Sequence, residues 1–193
     1  MITTDEVTAF WLDEVGPGGW YKVDEALDAR IRDRFADTWE AAQREGHLGW
    51  ACSPRGALAL LILLDQFPRN MFRGSARGYS SDRAALRVAK KAIDKGWDRR
   101  VAEPERQFFY LPLMHSENLE DQDRSVRLIK ERMPETGAEN LIHARAHREV
   151  IRRFGRFPHR NAEIGRTATA EERRYLDGGG YGAVLRSLKS EAA

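Results

Sequence analysis

The chain has 193 residues, a formal net charge of +2 and a near balance of acidic and basic side chains. This length fits one domain whose core is large enough to fold unaided, and we assign residues 1–193 to a single domain. The balanced charge argues against a nucleic-acid binder driven by overall charge. The only cysteine, Cys52, excludes an internal disulfide framework and a multi-cysteine zinc site.

The N-terminus and the apolar runs favour a cytoplasmic protein that does not cross a membrane. The chain begins without the basic and apolar segments of a secretory leader. Its most apolar run, residues 57–64, is about eight residues long, whereas a membrane span needs roughly 20. Because this run is apolar on every side, we expect a central helix that its neighbours cover.

Helical periodicity dominates from the first residues onward, and strand alternation is hard to find. Thr3 and Glu6 have the spacing of a capping box, and the glycine-rich stretch 16–19 should end the first helix. A second helix is predicted over 23–45, with Gly46 as its stop.

The central apolar helix is predicted to begin at Ser53 and Pro54, a cap followed by a proline in the first turn. Four further helices are predicted at 81–95, 104–115, 119–133 and 138–154. A capping box at Thr169 and Glu172 opens a short last helix, which the glycines at 178–180 should end. The resulting seven or eight helices, joined mostly by short loops, predict an all-α, single-domain stack of antiparallel helical hairpins.

One unusual phrase of sequence occurs twice, each time after a predicted helix. The two copies read Leu-Asp-Gln-Phe-Pro-Arg-Asn at 64–70, the first Phe-Pro motif, and Gly-Arg-Phe-Pro-His-Arg-Asn at 155–161, the second Phe-Pro motif. Proline disfavours helical geometry in the residue before it, so both helices should end near the Phe. The loops that follow, 65–80 and 155–168, are long enough to suggest function, and we expect them to face one shared cleft.

Polar side chains gather in these two loops. Between His143 and Arg174 there are nine Arg and four Glu but no Lys, and this preference indicates planar contacts with a carboxylate or phosphate. It is equally compatible with arginines that cap helices and pair with neighbouring acids. The candidate ligand-binding residues in the loops are Asp65, Gln66, Arg69, Asn70, Arg73, Arg156, His159, Arg160 and Asn161.

Three histidines and one glutamate extend the candidate site. His143 and His147 lie one helical turn apart, and His115 with Glu117 ends another predicted helix. Two His at this spacing can bind a metal, but Ala144 stands where a zinc protease has its Glu. We therefore predict no metal and no cofactor, and leave open whether each His binds a ligand or is structural.

Taken together, these motifs resemble the bacterial family catalogued as domain of unknown function number 924. The resemblance rests on 64–70 with Phe-Arg-Gly at 72–74, on His-Ser-Glu at 115–117 and on 154–161. Phe-Trp at 10–11 and the capping box at 169–172 extend it over nearly the whole chain. The resemblance implies an all-α, tetratricopeptide-like superhelix, and it implies no activity.

The leading functional hypothesis is a protein that binds a small anionic or polar metabolite in a cleft lined by Arg, His and Glu. One alternative is a hydrolase or transferase that uses Glu117 or His147 as acid and base. Another is a tetratricopeptide-like module that binds a protein partner. In a fourth interpretation, the two motifs only tie helices together. The sequence leaves open whether the protein is an enzyme.

Overall fold

The computed structural model describes residues 2–44 and 49–192. These residues form helices and turns without a strand, which confirms the all-α class. Two compact units follow one another along the chain, the first ending at Pro112 and the second beginning at Leu113. The assignment to one domain and the tetratricopeptide-like arrangement stay predictions.

The first unit begins with α1, Thr4–Thr8, which continues as π-helical turns over Ala9–Val15. The capping box is confirmed, since Thr3 Oγ1 accepts from the Glu6 N–H and the Glu6 side chain accepts from the Thr3 N–H. Helix α2 covers Glu25–Arg44. Its predicted stop, Gly46, lies outside the described residues.

Helix α3, Pro54–Leu61, begins as predicted, because Ser53 Oγ accepts from the Gly56 N–H and Pro54 occupies the first turn. The apolar run 57–64 has no residue more than 4% exposed, which confirms its central position in the first unit. Helices α1 and α5 (Asp82–Asp94) both pack against α3. No described helix combines the length and the apolar character that crossing a bilayer requires. The cytoplasmic location stays a prediction.

The first Phe-Pro motif does not end its helix, so that prediction is wrong. Helix α3 runs on through π-helical turns at Ile62–Gln66 into α4, Phe67–Met71. Pro68 lies in the first turn of α4, and the carbonyl of Leu64, four residues before it, accepts from Ser81 Oγ. The expected loop at 65–80 is therefore helical as far as Met71 and forms a 3₁₀ turn at Ala76–Tyr79.

The remainder of the first unit corrects two further expectations. Ser81 precedes α5 but does not cap it, because its Oγ accepts from Trp39 Nε1 at 3.0 Å and donates to the Leu64 carbonyl at 2.6 Å. The continuous helix expected at 104–115 is instead a 3₁₀ segment, Glu105–Phe109, followed by the short α6, Leu111–Met114.

The second unit contains the last four helices: α7, Leu119–Arg132; α8, Ala138–Phe154; α9, Ala170–Asp177; and α10, Gly180–Ala192. Helix α8 packs against both α7 and α10. The second Phe-Pro motif follows the end of α8 at Gly155, as predicted. Helix α10 differs from the prediction, in which the glycines at 178–180 end the last helix of the chain. With α10 and the divided helices, the described residues contain more helical segments than seven or eight.

Candidate functional site

In the first unit, Arg69 lies between two carboxylates. Its Nη2 donates to Asp65 Oδ1 at 3.3 Å and to Asp82 Oδ1 at 2.9 Å. Asp65 is 1% exposed and also accepts from Gln66 Nε2 at 2.6 Å. Burial alone would lower the pKa of Arg69, but the two carboxylates raise it above its ordinary value. The Arg69 guanidinium is thus held in its charged form by ion pairs with the two carboxylates.

The other polar residues of the first Phe-Pro motif converge on Asp28, a buried residue of α2 that the sequence did not single out. Asn70 Nδ2 donates to Asp28 Oδ1 at 2.8 Å. Arg73 donates to the same carboxylate through Nε and Nη2, both at 2.9 Å. This bidentate contact joins α2 to the chain after α4 and occupies both carboxylate oxygens.

In the second unit, Glu117 and Arg166 together hold the backbone of the second Phe-Pro motif. The Phe157 N–H donates to Glu117 Oε1 at 2.8 Å, and Arg166 Nη2 donates to the Phe157 carbonyl at 3.1 Å. The two side chains also form a bidentate ion pair, with N···O distances of 2.7 and 2.8 Å. Burial acts to raise the pKa of Glu117, but the bonds from Arg166 and Phe157 outweigh it and lower that pKa.

Arg156, also predicted as a ligand contact, pairs with Glu172 of α9. Its Nε and Nη2 donate to the two carboxylate oxygens at 2.5 and 2.8 Å. Glu172 is 2% exposed and also accepts from the Thr169 N–H, which confirms the predicted capping box. The Arg156 hydrogen bonds, followed by the bond from the Thr169 backbone, lower the pKa of Glu172 to about 2 despite its burial.

The stability of the protein should therefore fall as Glu172 takes up a proton in acid. Because the folded pKa of Glu172, about 2, lies below the ordinary 4.5, the unfolded chain binds more protons between these values. The contribution is complete above pH 4.5 and is lost as the pH falls toward 2, by about 2 kcal/mol after allowance for solvent screening. Urea unfolding at pH 6, 4 and 3 measures this loss.

The Glu172→Gln variant should show a smaller loss of stability over the same pH range. The matched control is Glu171→Gln, which removes an exposed carboxylate from the same helix. This control should keep the wild-type pH dependence. If the stability of Glu172→Gln fell with pH as steeply as that of the wild type, Glu172 would not be the group whose protonation causes the loss.

The predicted histidines meet around His147 in the second unit. His147 Nδ1 donates to the His143 carbonyl at 2.9 Å. Its ring centroid lies 4.8 Å from that of Tyr181, 5.4 Å from Phe157 and 6.2 Å from His115. Burial, reinforced by the neighbouring imidazole of His115, lowers the pKa of His147 to about 3. The ring is therefore neutral at physiological pH, and its Nε2 is a hydrogen-bond acceptor.

The remaining predicted residues lie around this cluster. His143 Nδ1 is 2.5 Å from the Tyr181 hydroxyl, whereas His159 is exposed and its ring packs on Phe157. Arg160 is 8% exposed, donates to the His115 carbonyl at 3.1 Å and stacks over Phe157. Asn161 is 3% exposed, and its side chain is among the groups that lower the pKa of Glu172.

The two halves of the predicted site lie in different units, and their meeting in one cleft stays a prediction. Two of the grooves formed by the described residues were not predicted from the sequence. One, of about 510 Å³, lies in the first unit between the segments around Thr8, Pro54 and Val101. The other, of about 370 Å³, lies in the second unit at Tyr175 and Gly180. The described residues offer no group of three or more His, Cys, Asp or Glu side chains arranged to bind a metal ion.

Comparison with known proteins agrees with the fold. Residues 7–180 match the model of a family described as a bacterial protein of unknown function, DUF924. A solved structure of a protein of unknown function from Agrobacterium tumefaciens is 43% identical in sequence, with a TM-score of 0.84. The alignment covers 91% of this chain and 97% of that protein. No curated protein matches the chain.

Proposed function

Since the chain belongs to the bacterial DUF924 family, whose description gives no activity, we propose from its geometry that it binds a small polar or anionic metabolite beside His147. The observation that carries the proposal is the state of this imidazole. Its Nδ1–H is committed to the His143 carbonyl, and its Nε2 has no hydrogen-bond partner among the described residues. A partly buried acceptor of this kind suits an O–H or N–H donor of a ligand.

The surroundings of His147 support a ligand with both polar and flat apolar parts. Tyr181 supplies an aromatic face, and the buried Phe157 packs on the imidazole with Arg160 over its ring. The guanidinium of Arg160 would favour a ligand that carries negative charge, such as a carboxylate. This half of the predicted site lies within one unit.

The hydrolase or transferase alternative has less support from the same groups. A general acid or base works best with a pKa near the working pH. The pKa of His147, about 3, lies far below neutrality, and the pKa of Glu117 is lowered while both its oxygens accept hydrogen bonds. The protein-interaction module and the cytoplasmic location likewise stay predictions.

The proposal can be tested with variants of His147 that each replace the hydrogen-bonding role of one ring nitrogen. In His147→Asn, the amide can reach the position of Nδ1 and keep the bond to the His143 carbonyl, but nothing replaces Nε2. In His147→Gln, the longer side chain can place an acceptor near Nε2. A panel of hydroxylated and carboxylated metabolites is screened by thermal shift, and each hit is titrated by calorimetry.

We expect at least one hit for the wild type, about tenfold weaker binding by His147→Asn, and partial recovery in His147→Gln. Circular dichroism checks that both variants are folded. A panel without any hit would overturn the proposal. So would unchanged binding by the folded Asn variant.

A further inference from the structure

The turn between α9 and α10 has the features of an anion site that uses none of the sequence-predicted residues. We call residues 178–182, with the sequence Gly-Gly-Gly-Tyr-Gly, the glycine turn. Gly179 and Gly180 have φ values of +96° and +52°, which side-chain-bearing residues rarely adopt. Its last three residues, 180–182, are the first residues of α10, a helix of 13 residues. Backbone N–H groups in a first helical turn have no acceptor within the helix and attract anions.

Two arginines beside the glycine turn make no hydrogen bond or ion pair with any described residue. Arg174 lines the 370 Å³ groove at this turn. Arg186 approaches the turn from α10: a Cβ atom at Gly179 would lie 3.3 Å from its Nη2, and one at Gly182 would lie 3.4 Å from its Nη1. Most arginines of the Phe-Pro motifs pair with carboxylates, whereas these two leave their charge available to a ligand.

Tyr175 supplies an independent indication of a ligand. It is 8% exposed, and its buried hydroxyl has no hydrogen-bond partner among the described residues. The phenol lines the groove, and its Cε1, the ring atom next to the hydroxyl-bearing carbon, would lie 3.9 Å from a Cβ at Gly180. The hydroxyl end therefore points toward the glycine turn. A buried hydroxyl without a partner is costly, and an anion at the turn would accept from it.

The walls of the groove indicate what else the ligand contains. Ala183 and Val184 line one side, and Arg153 lines the groove while pairing with the exposed Glu171. A volume of about 370 Å³ is at the small end of the range for ligand sites. We propose that the glycine turn binds the carboxylate or phosphate group of a small amphipathic molecule whose apolar part lies along Ala183 and Val184.

This site goes beyond the function proposed above, although Tyr181, one residue of the glycine turn, also packs against His147. The side chains that the second proposal tests, Arg174 and Tyr175, come from α9. The first proposal is tested at His147 of α8. A variant at either place leaves the other side chains unchanged. The two proposals can thus fail separately.

The test uses three probes, inorganic phosphate, phenyl phosphate and benzoate, titrated calorimetrically into the full chain. The variants are Arg174→Gln and Tyr175→Phe. The matched control is Arg152→Gln, which makes the same charge change at an exposed position of α8 that does not line the groove. Amide chemical shifts of residues 178–180, which do not include Tyr181, report whether a bound probe lies at the glycine turn.

We expect an aryl anion to bind more tightly than inorganic phosphate and to shift the amide signals of the glycine turn. Arg174→Gln should weaken this binding about tenfold, and Tyr175→Phe about threefold. Arg152→Gln should leave it unchanged. The unliganded Tyr175→Phe protein should be at least as stable as the wild type, because it loses a hydroxyl that has no partner.

Three results would overturn the proposal. One is that neither aryl anion binds, or that both bind no better than phosphate. Another is an equal loss of affinity in Arg174→Gln and Arg152→Gln, which would show attraction by overall charge. The third is full binding by folded Tyr175→Phe and Arg174→Gln.

Discussion

Replacement of Phe67 with alanine is expected to lower the free energy of unfolding of the first unit by about 4 kcal/mol. Phe67 is 0% exposed, and its ring centroid lies 4.6 Å from that of Phe35, 5.5 Å from Trp11 and 6.0 Å from Phe10. The substitution removes the apolar transfer energy of the ring and leaves a cavity that three other aromatic rings cannot easily fill.

Tryptophan fluorescence during urea unfolding measures this effect. All five tryptophans precede residue 113, so the signal reports the first unit. The control is Phe72→Ala, because Phe72 makes one close ring contact, 4.9 Å from Trp39, and is only half-buried. Phe72→Ala should lower the free energy of unfolding by about 1–2 kcal/mol. If Phe67→Ala lowered the free energy of unfolding no more than Phe72→Ala, the packing of the Phe67 ring among Phe35, Trp11 and Phe10 would be contradicted.

The sequence predicted best the features that depend on residues close together in the chain. The capping boxes at Thr3 and Thr169 each need a partner only three residues away, and both are formed. The buried run 57–64 was also recognisable, because a segment apolar on every side has no face to offer to water.

Features that depend on distant residues were missed. Asp28 lies 42 residues before Asn70 and 45 before Arg73, so nothing in its local pattern marked it as their common acceptor. The π-helical turns at Ile62–Gln66 were equally hidden, since they change the register of the chain before Pro68 without a glycine or proline of their own. Local rules then indicated a helix end where the chain stays helical.

The contacts of the arginines change the interpretation of the two motifs. Arg69 and Arg73 pair with buried aspartates, and Arg156 pairs with the buried Glu172. A guanidinium already bound to a carboxylate has less attraction for an anionic ligand. The arginine-rich sequence thus contains internal ion pairs, while its role in a binding cleft stays a prediction. The arginines at the glycine turn are the anion contacts that we propose.

Replacement of Glu117 with alanine is expected to cost about 3 kcal/mol of stability. The change removes the bidentate partner of Arg166 and the acceptor of the Phe157 N–H together. The Phe157 N–H would then have lost its acceptor, and Arg166 would keep only its bond to the Phe157 carbonyl in a partly buried corner. This is more costly than the loss of an exposed ion pair. Glu117→Gln should cost about half as much, because its amide oxygen can still accept one of these bonds.

Urea unfolding followed by far-ultraviolet circular dichroism measures the stability, and hydrogen exchange of the Phe157 amide measures the local effect. That amide should exchange faster in Glu117→Ala than in the wild type, since its acceptor is gone. Glu139→Ala is the control: Glu139 pairs with Lys189 at an exposed position and should contribute less than about 0.5 kcal/mol. If Glu117→Ala kept both wild-type stability and Phe157 protection, Glu117 would not be the residue that holds the second Phe-Pro motif. Its carboxylate would then again be a candidate for the acid–base role that its ion pair with Arg166 now disfavours.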